Sequence, residues 1–164
     1  MIYLAYLGES KKIKYKKPNK KYFIVRKPVG RMPKGFIHMP QLSPSVNLLK
    51  NALRWKKGQF TKNEIAKLNN TNISYNTKNA WWYLYVPRFK RELSTRIDVQ
   101  KAVRKIKNES STGINIYLFC YCKELNKCHR LLVGKHLEQK GLNIDFRNRK
   151  KIQNKNFTQL NLFS

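Results

Sequence analysis

Three thiols, an imidazole and a guanidinium crowd one short stretch of this chain: Cys120, Cys122, Cys128, His129 and Arg130. The chain has no other cysteine. A cysteine supplies a nucleophile once ionised, and a histidine beside it moves protons near neutral pH. An arginine offers a planar fork that suits phosphate or carboxylate. The same residues permit other readings. Cys120, Cys122, Cys128 and His129 make a Cys₃His set of the kind zinc takes. Their spacing is not that of a zinc knuckle, and both Cys-x-Cys and adjacent Cys-His strain simultaneous ligation, so no metal is favoured. Cys120 also closes an apolar run, where a free cysteine packs as a small apolar group. A reactive thiol, a metal site and buried structural residues therefore all stay open. A disulfide framework is not expected in a cytosolic chain with all its cysteines in one loop.

The elements around these residues place them. Gly113-Ile114-Asn115-Ile116-Tyr117-Leu118-Phe119-Cys120 is apolar, aromatic and β-branched, as a buried strand is. A short polar loop follows. From Cys128, residues Leu131, Leu132, Lys135, His136, Leu137 and Lys140 recur at helical spacing until Gly141 stops the helix. Leu142-Asn143-Ile144-Asp145-Phe146 reads as the next strand. Strand, helix and strand in this order form a βαβ unit, which implies a parallel sheet. In such sheets ligands bind outside the carboxyl ends of the strands. A helix N-terminus there lowers a thiol pKa and attracts anions. Cys128, His129 and Cys120 are the candidate catalytic residues. Arg130, Arg31 and Arg26 are candidates for holding an anionic substrate, with Tyr6, Tyr121 and Trp82 beside them.

A strand ending in cysteine, then Cys-His-Arg at a helix start, resembles the DUF488 family of small α/β proteins. Ile2-Tyr3-Leu4-Ala5-Tyr6 resembles that family's first strand. Arg31-Met32-Pro33 resembles its arginine-bearing segment, and Leu42-Ser43-Pro44-Ser45 the loop that opens its first helix. The resemblance covers most of residues 1–146 and implies an α/β fold, a single Rossmann-like domain with a mostly parallel sheet flanked by helices. The family pattern has Cys-x-Glu before Cys-His-Arg, whereas this chain has Cys120-Tyr121-Cys122. Acid-dependent chemistry would then fall to Glu124.

Charge is the extreme feature of the composition. The 164 residues hold 36 Lys+Arg against 8 Asp+Glu, a formal net charge of +28. A bias toward Lys, Asn, Ile, Tyr and Phe explains many lysines, but the same bias would also supply glutamate. A sequence-independent attraction to nucleic acid is the better account. Charge does not separate DNA from RNA; DNA is the expected partner. No apolar run reaches the ~18 residues of a membrane helix, no strong basic amphipathic helix appears, and no leader is visible. The expected location is the cytoplasm of a bacterial host, or its nucleoid.

Along the rest of the chain, Lys11 to Lys21 reads as a lysine-rich loop and Tyr22-Phe23-Ile24-Val25 as a strand leading to Arg26 and Arg31. His38 reads as an ordinary loop histidine. Ser43 or Ser45 caps a helix from Val46 to about Trp55, with Leu48, Leu49 and Leu53 inward. Thr61 and Glu64 stand at capping-box spacing. Trp82, Tyr85, Phe89 and Leu93 form a helical stripe that Pro87 should kink. That stripe reads as core, with base stacking as the alternative for Trp81, Trp82 or Tyr121. Ile97 to Ile106 is a further helix with Val103 and Ile106 toward the sheet.

After Phe146, Arg147 to Lys155 carries five basic residues and no acid, so 147–164 is expected to be a flexible basic tail. Near its end lies Gln159-Leu160-Asn161-Leu162-Phe163, which resembles the peptide by which bacterial replication and repair proteins dock on the DNA polymerase sliding clamp. Gln159, Leu160, Leu162 and Phe163 are the matching positions, and the resemblance implies that clamp as a partner. Two functions follow. The first is a DNA-processing enzyme, base-removing or base-modifying, held at replication or repair sites by the clamp. The second is a non-enzymatic phage or mobile-element protein that occupies DNA and clamp and so redirects host replication. No cofactor is required by either, with zinc as the open possibility.

Overall fold

The most apolar run in the chain becomes the middle of the sheet. In the computed structural model, which describes residues 1–146, Asn115–Cys120 forms strand β4 and is buried from Ile116 onward. On one side it pairs in parallel with β1, Ile2–Tyr6, in the register Ile2↔Ile116 to Tyr6↔Cys120. On the other it pairs in parallel with β2, Asn19–Phe23, from Asn19↔Asn115 to Phe23↔Phe119. The short strands β3, Phe36–His38, and β5, Ile144–Asp145, complete an all-parallel sheet of order β3-β2-β4-β1-β5. The fold is the expected single α/β domain.

β2 is displaced from its predicted position. Tyr22–Val25 was the apolar choice, yet the ladder takes Asn19–Phe23. Lys20 and Lys21 tolerate a strand because their heads find partners at its margin. Lys20 Nζ lies 2.8 Å from Glu109 Oε1, and Lys21 Nζ sits over the Tyr15 and Phe36 rings. The carbonyls of Ile24 and Val25 face histidines instead of a neighbouring strand, His129 Nε2 at 2.6 Å and His38 Nε2 at 2.8 Å. The predicted lysine-rich loop is likewise partly ordered, since Leu7–Lys12 is a 3₁₀ helix.

Helices cover one face of the sheet, where Ile2, Tyr22, Ile24, Ile116 and Leu118 meet a single apolar cluster. α1, Val46–Lys56, starts at Ser45, whose Oγ accepts from Leu48 N at 3.1 Å. It buries Leu48, Ala52 and Trp55; Leu53, expected inward, is exposed because that stripe is already filled. α2, Lys62–Asn69, carries the full Thr61–Glu64 capping box. α3, Ala80–Thr95, buries Trp82, Tyr85, Phe89 and Leu93 and runs unbroken through Pro87. Buried neighbours on both sides of the proline, Val86 and Phe89, hold the two halves in line. α4, Ile97–Ser111, outlasts its predicted end at Ile106, since Glu109 in its last turn engages Lys20 and Tyr22. The other face of the sheet, with Tyr3, Phe23, Tyr117 and Phe119, is covered by Leu7, Ile13, Tyr15 and Met32.

α5, His129–Gln139, carries the reactive stretch onto the sheet. Gly134 makes this close approach possible: a Cβ there would lie 2.7 Å from Leu4 Cδ1 and 3.1 Å from Phe146 Cε1. No helix among the described residues is long and apolar enough to cross a membrane. The basic tail, 147–164, with the clamp-like positions Gln159, Leu160, Leu162 and Phe163, lies outside the described residues.

Candidate functional site at the carboxyl rim of the sheet

Cys120 is the last residue of β4, and Cys128 is the N-cap of α5, with an extended backbone before the helix begins. The strand end and helix start thus bring residues eight positions apart in sequence to one point. Cys128 Sγ accepts from Arg130 N at 3.4 Å, so the thiol occupies the place a serine or aspartate takes in ordinary caps. Cys120 is 3% exposed and Cys128 1% exposed, while Cys122 is partly exposed. The one reachable sulfur is therefore the one that departs from the family pattern.

His129 is oriented from both sides. Its Nε2 lies 2.6 Å from the carbonyl of Ile24, and a carbonyl only accepts, so Nε2 carries a proton. Burial pushes the imidazole pKa down and favours the neutral ring. The Nδ1 lone pair then faces Cys120 Sγ at 3.8 Å. Phe89 meets the ring edge-on, with centroids 6.1 Å apart. The aromatic stripe of α3 is thus the wall behind the histidine.

Charge in the cluster is shared unequally. Hydrogen bonds from the Cys122 and Cys128 thiols hold the Cys120 thiol well below its ordinary pKa, with a further contribution from the Arg130 charge. As donors to that sulfur, Cys122 and Cys128 are pushed up.

Several predicted site residues have partners within the fold. Arg130 is 1% exposed. It donates from Nη1 to the carbonyl of Ala5 and from Nη2 to that of Cys122, at 3.2 Å for the latter, and its buried Nε has no hydrogen-bond partner. It braces the loop against β1 through main-chain carbonyls. Arg26 follows β2 on the same rim, but Nε and Nη2 donate to the carbonyls of Pro44 and Ser43, tying it to the start of α1. Arg31 is exposed. Tyr6, at the end of β1 in register with Cys120, is partly buried and packs its ring over Gly8. Tyr121 is 38% exposed, with its hydroxyl 2.5 Å from Val29 N and its ring against Phe23. Trp82 is buried and stacked on Tyr85, so it is core and not a stacking platform. Trp81 is partly buried under Lys56 Nζ, 4.3 Å from the ring centroid. Glu124 is exposed.

Two features had no sequence signal. The carbonyls of Ile24 and Ala5, which orient His129 and Arg130, belong to residues whose side chains suggest nothing beyond core. Away from the cluster, a cleft of about 380 Å³ between α2 and α3 is lined by Lys67, Arg88 and Arg91 together with Tyr83 and Thr71 and no acid. Arg88 stacks over Trp55 at 4.6 Å, and its buried Nη1 has no hydrogen-bond partner.

A family model described as DUF488-N3a, the active DUF488-N3 subclade, matches residues 6–141. No curated protein and no solved structure matches the chain.

Proposed function

Because the chain belongs to the DUF488 family, we propose that it is a DNA-processing enzyme that removes or modifies nucleobases, with the Cys120–Cys122–Cys128–His129 cluster as its reaction centre. The observation that carries this reading is the position of the cluster. It gathers three thiols and an oriented histidine at the carboxyl ends of parallel strands, where α/β sheets bind ligands. The word active in the family description supports a catalytic member. A base turned out of the helix meets Cys122 first, since that sulfur alone is partly exposed, and His129 Nδ1, 3.8 Å from Cys120 Sγ, is the nitrogen available for proton transfer. Arg31, the exposed Lys123 and the α2–α3 cleft supply cations for the phosphate backbone.

Acidic residues argue against a magnesium nuclease. The chain has 8 Asp+Glu. Glu64, Glu92, Asp98 and Glu109 are engaged by Arg54, Arg96 and Lys20 in the fold. Magnesium sites for phosphodiester cleavage use convergent carboxylates, and those four are held apart from the cluster. The tail, through Gln159 to Phe163, is proposed to bring the enzyme to the sliding clamp.

The burial of Cys120 and Cys128 favours a second reading, in which the cluster is structural and the protein a clamp- and DNA-binding blocker. One experiment separates the two. Oligonucleotides carrying altered or mispaired bases are incubated with the full chain, with Cys122→Ser and His129→Ala, and with a chain ending at Lys155. Base release or modification that disappears in His129→Ala and persists without the tail supports the enzyme. No product from any substrate, with clamp binding that is lost on removal of the tail, overturns it in favour of the blocker.

A further inference from the structure

Three ligand-type atoms, two of them on buried cysteines, converge in the cluster to a degree that proton sharing among thiols does not require. Cys120 Sγ, Cys128 Sγ and a ring nitrogen of His129 all lie within 4.8 Å of one another. We propose that Cys120, Cys128 and His129 are the ligands of a thiophilic divalent metal, zinc above all, with Cys122 beside the metal and outside the ligand set.

The geometry is near what zinc needs. Bonds of about 2.3 Å to sulfur and about 2.0–2.1 Å to nitrogen set tetrahedral edges of roughly 3.5–3.8 Å. The Cys120 Sγ to His129 Nδ1 distance is already 3.8 Å. Sulfur and imidazole select zinc over the hard, oxygen-seeking magnesium and calcium. The histidine shows the outer contact that a metal-binding imidazole ordinarily has. Its remote N–H is held by a main-chain carbonyl, that of Ile24 at 2.6 Å, which fixes the tautomer and aims the Nδ1 lone pair at the sulfurs.

Adjacent ligands at Cys128 and His129 ordinarily point apart. Here Cys128 has an extended backbone, φ −116° and ψ 138°, and His129 is the first residue of α5. The change of backbone conformation between them turns both side chains toward β4. Cys120 comes from a strand paired on both sides, so the frame is rigid. The edge of the Phe89 ring lies against His129 and limits water there.

Three protein ligands leave a fourth position, which is the pattern of catalytic rather than structural zinc. Cys122 is the partly exposed member of the loop, so the open position is placed on the solvent side. The inference concerns the cluster named above but is independent of the reaction, because metal is measured without turnover.

The test uses the folded full chain, stripped with a chelator and then offered ZnCl₂ or CoCl₂ alone. The expected result is about one metal per chain, with sulfur-to-cobalt charge-transfer absorption and strong tetrahedral visible bands. Cys120→Ser, Cys128→Ser and His129→Ala should each weaken zinc at least about 10–100-fold. Cys122→Ser should keep stoichiometric metal. Zinc should also protect Cys120 and Cys128 from alkylation in the wild-type chain while leaving Cys122 open, a readout that needs no variant. A folded wild-type chain that takes up neither metal overturns the proposal, as does binding unaffected by loss of Cys120 and Cys128. Base-directed turnover by a chain that binds no metal would remove this inference and leave the functional reading standing; stoichiometric zinc without turnover would do the reverse.

Discussion

Two arginines organise opposite parts of this molecule under opposite conditions. Arg54, between α1 and α2, donates to both oxygens of Glu64 at 2.8 and 3.0 Å and to the Gln59 carbonyl at 2.8 Å. Glu64 in turn accepts from the Thr61 N–H at 2.8 Å, so every charge there has a counter-charge. Arg130, at the carboxyl rim, is more deeply buried and meets only the carbonyls of Ala5 and Cys122, with Nε unpartnered. One region joins two helices through matched charges. The other buries a cation whose natural complement is an anionic sulfur. The contrast is between a charge that the protein's own acids satisfy and one that only its main chain receives.

The comparison can be broken most severely at Arg130. Arg130→Met removes the brace between the cysteine loop and β1 and strands two carbonyls, so unfolding in urea should show a loss of about 2–5 kcal/mol. A loss under about 1 kcal/mol would mean that the buried guanidinium contributes nothing net, and the contrast with Arg54 would fail. Arg54→Ala should cost about 1.5–3 kcal/mol by the same measurement, because a largely buried Glu64 loses its charged partner. Adding Glu64→Ala to that variant should cost less than the same change in the wild-type chain. Thr61→Ala, which removes the N-cap of α2, should cost about 1 kcal/mol.

Acid sharpens the same contrast. Burial alone would raise the Glu64 pKa, but the hydrogen bonds from Arg54 and the Thr61 N–H outweigh it and hold it at about 2, below its ordinary 4.5. A depressed folded pKa means that the contribution is complete above about 4.5 and is lost as pH falls toward about 2. The stability difference between wild type and Glu64→Gln should therefore shrink across that interval, as read from urea midpoints at successive pH values. Cys122→Ser should have the smallest effect on stability, within about 0.5 kcal/mol, as a partly exposed isosteric change. Its weight should fall on reactivity instead.

Much of this was legible from local pattern. Ile2–Tyr6 and Asn115–Cys120 read as strands because their apolar runs need burial on both faces. The Trp82, Tyr85, Phe89, Leu93 stripe read as core because helical spacing put it on one side. Ser45 and Thr61 announced their helices through capping chemistry. β2 was misplaced because a strand beside β4 is chosen by main-chain pairing, and lysine stems can reach out from it. Pro87 was overrated because packing on both sides keeps the helix straight. Arg130 and Arg26 read as anion-binding because an arginine beside cysteines looks functional, and the main-chain carbonyls that engage them are distant in sequence.

Chain order alone thus carried the βαβ unit, the parallel sheet, the gathering of all three thiols in one loop and the excess of positive charge. These follow from periodicity, spacing and composition, which are properties of neighbours along the chain. Folding alone settled which sulfur is reachable, which nitrogen of His129 faces the thiols and which arginines are already occupied. Those outcomes depend on the carbonyls of Ala5, Ile24 and Pro44, and a carbonyl is the same in every residue until the fold puts something against it.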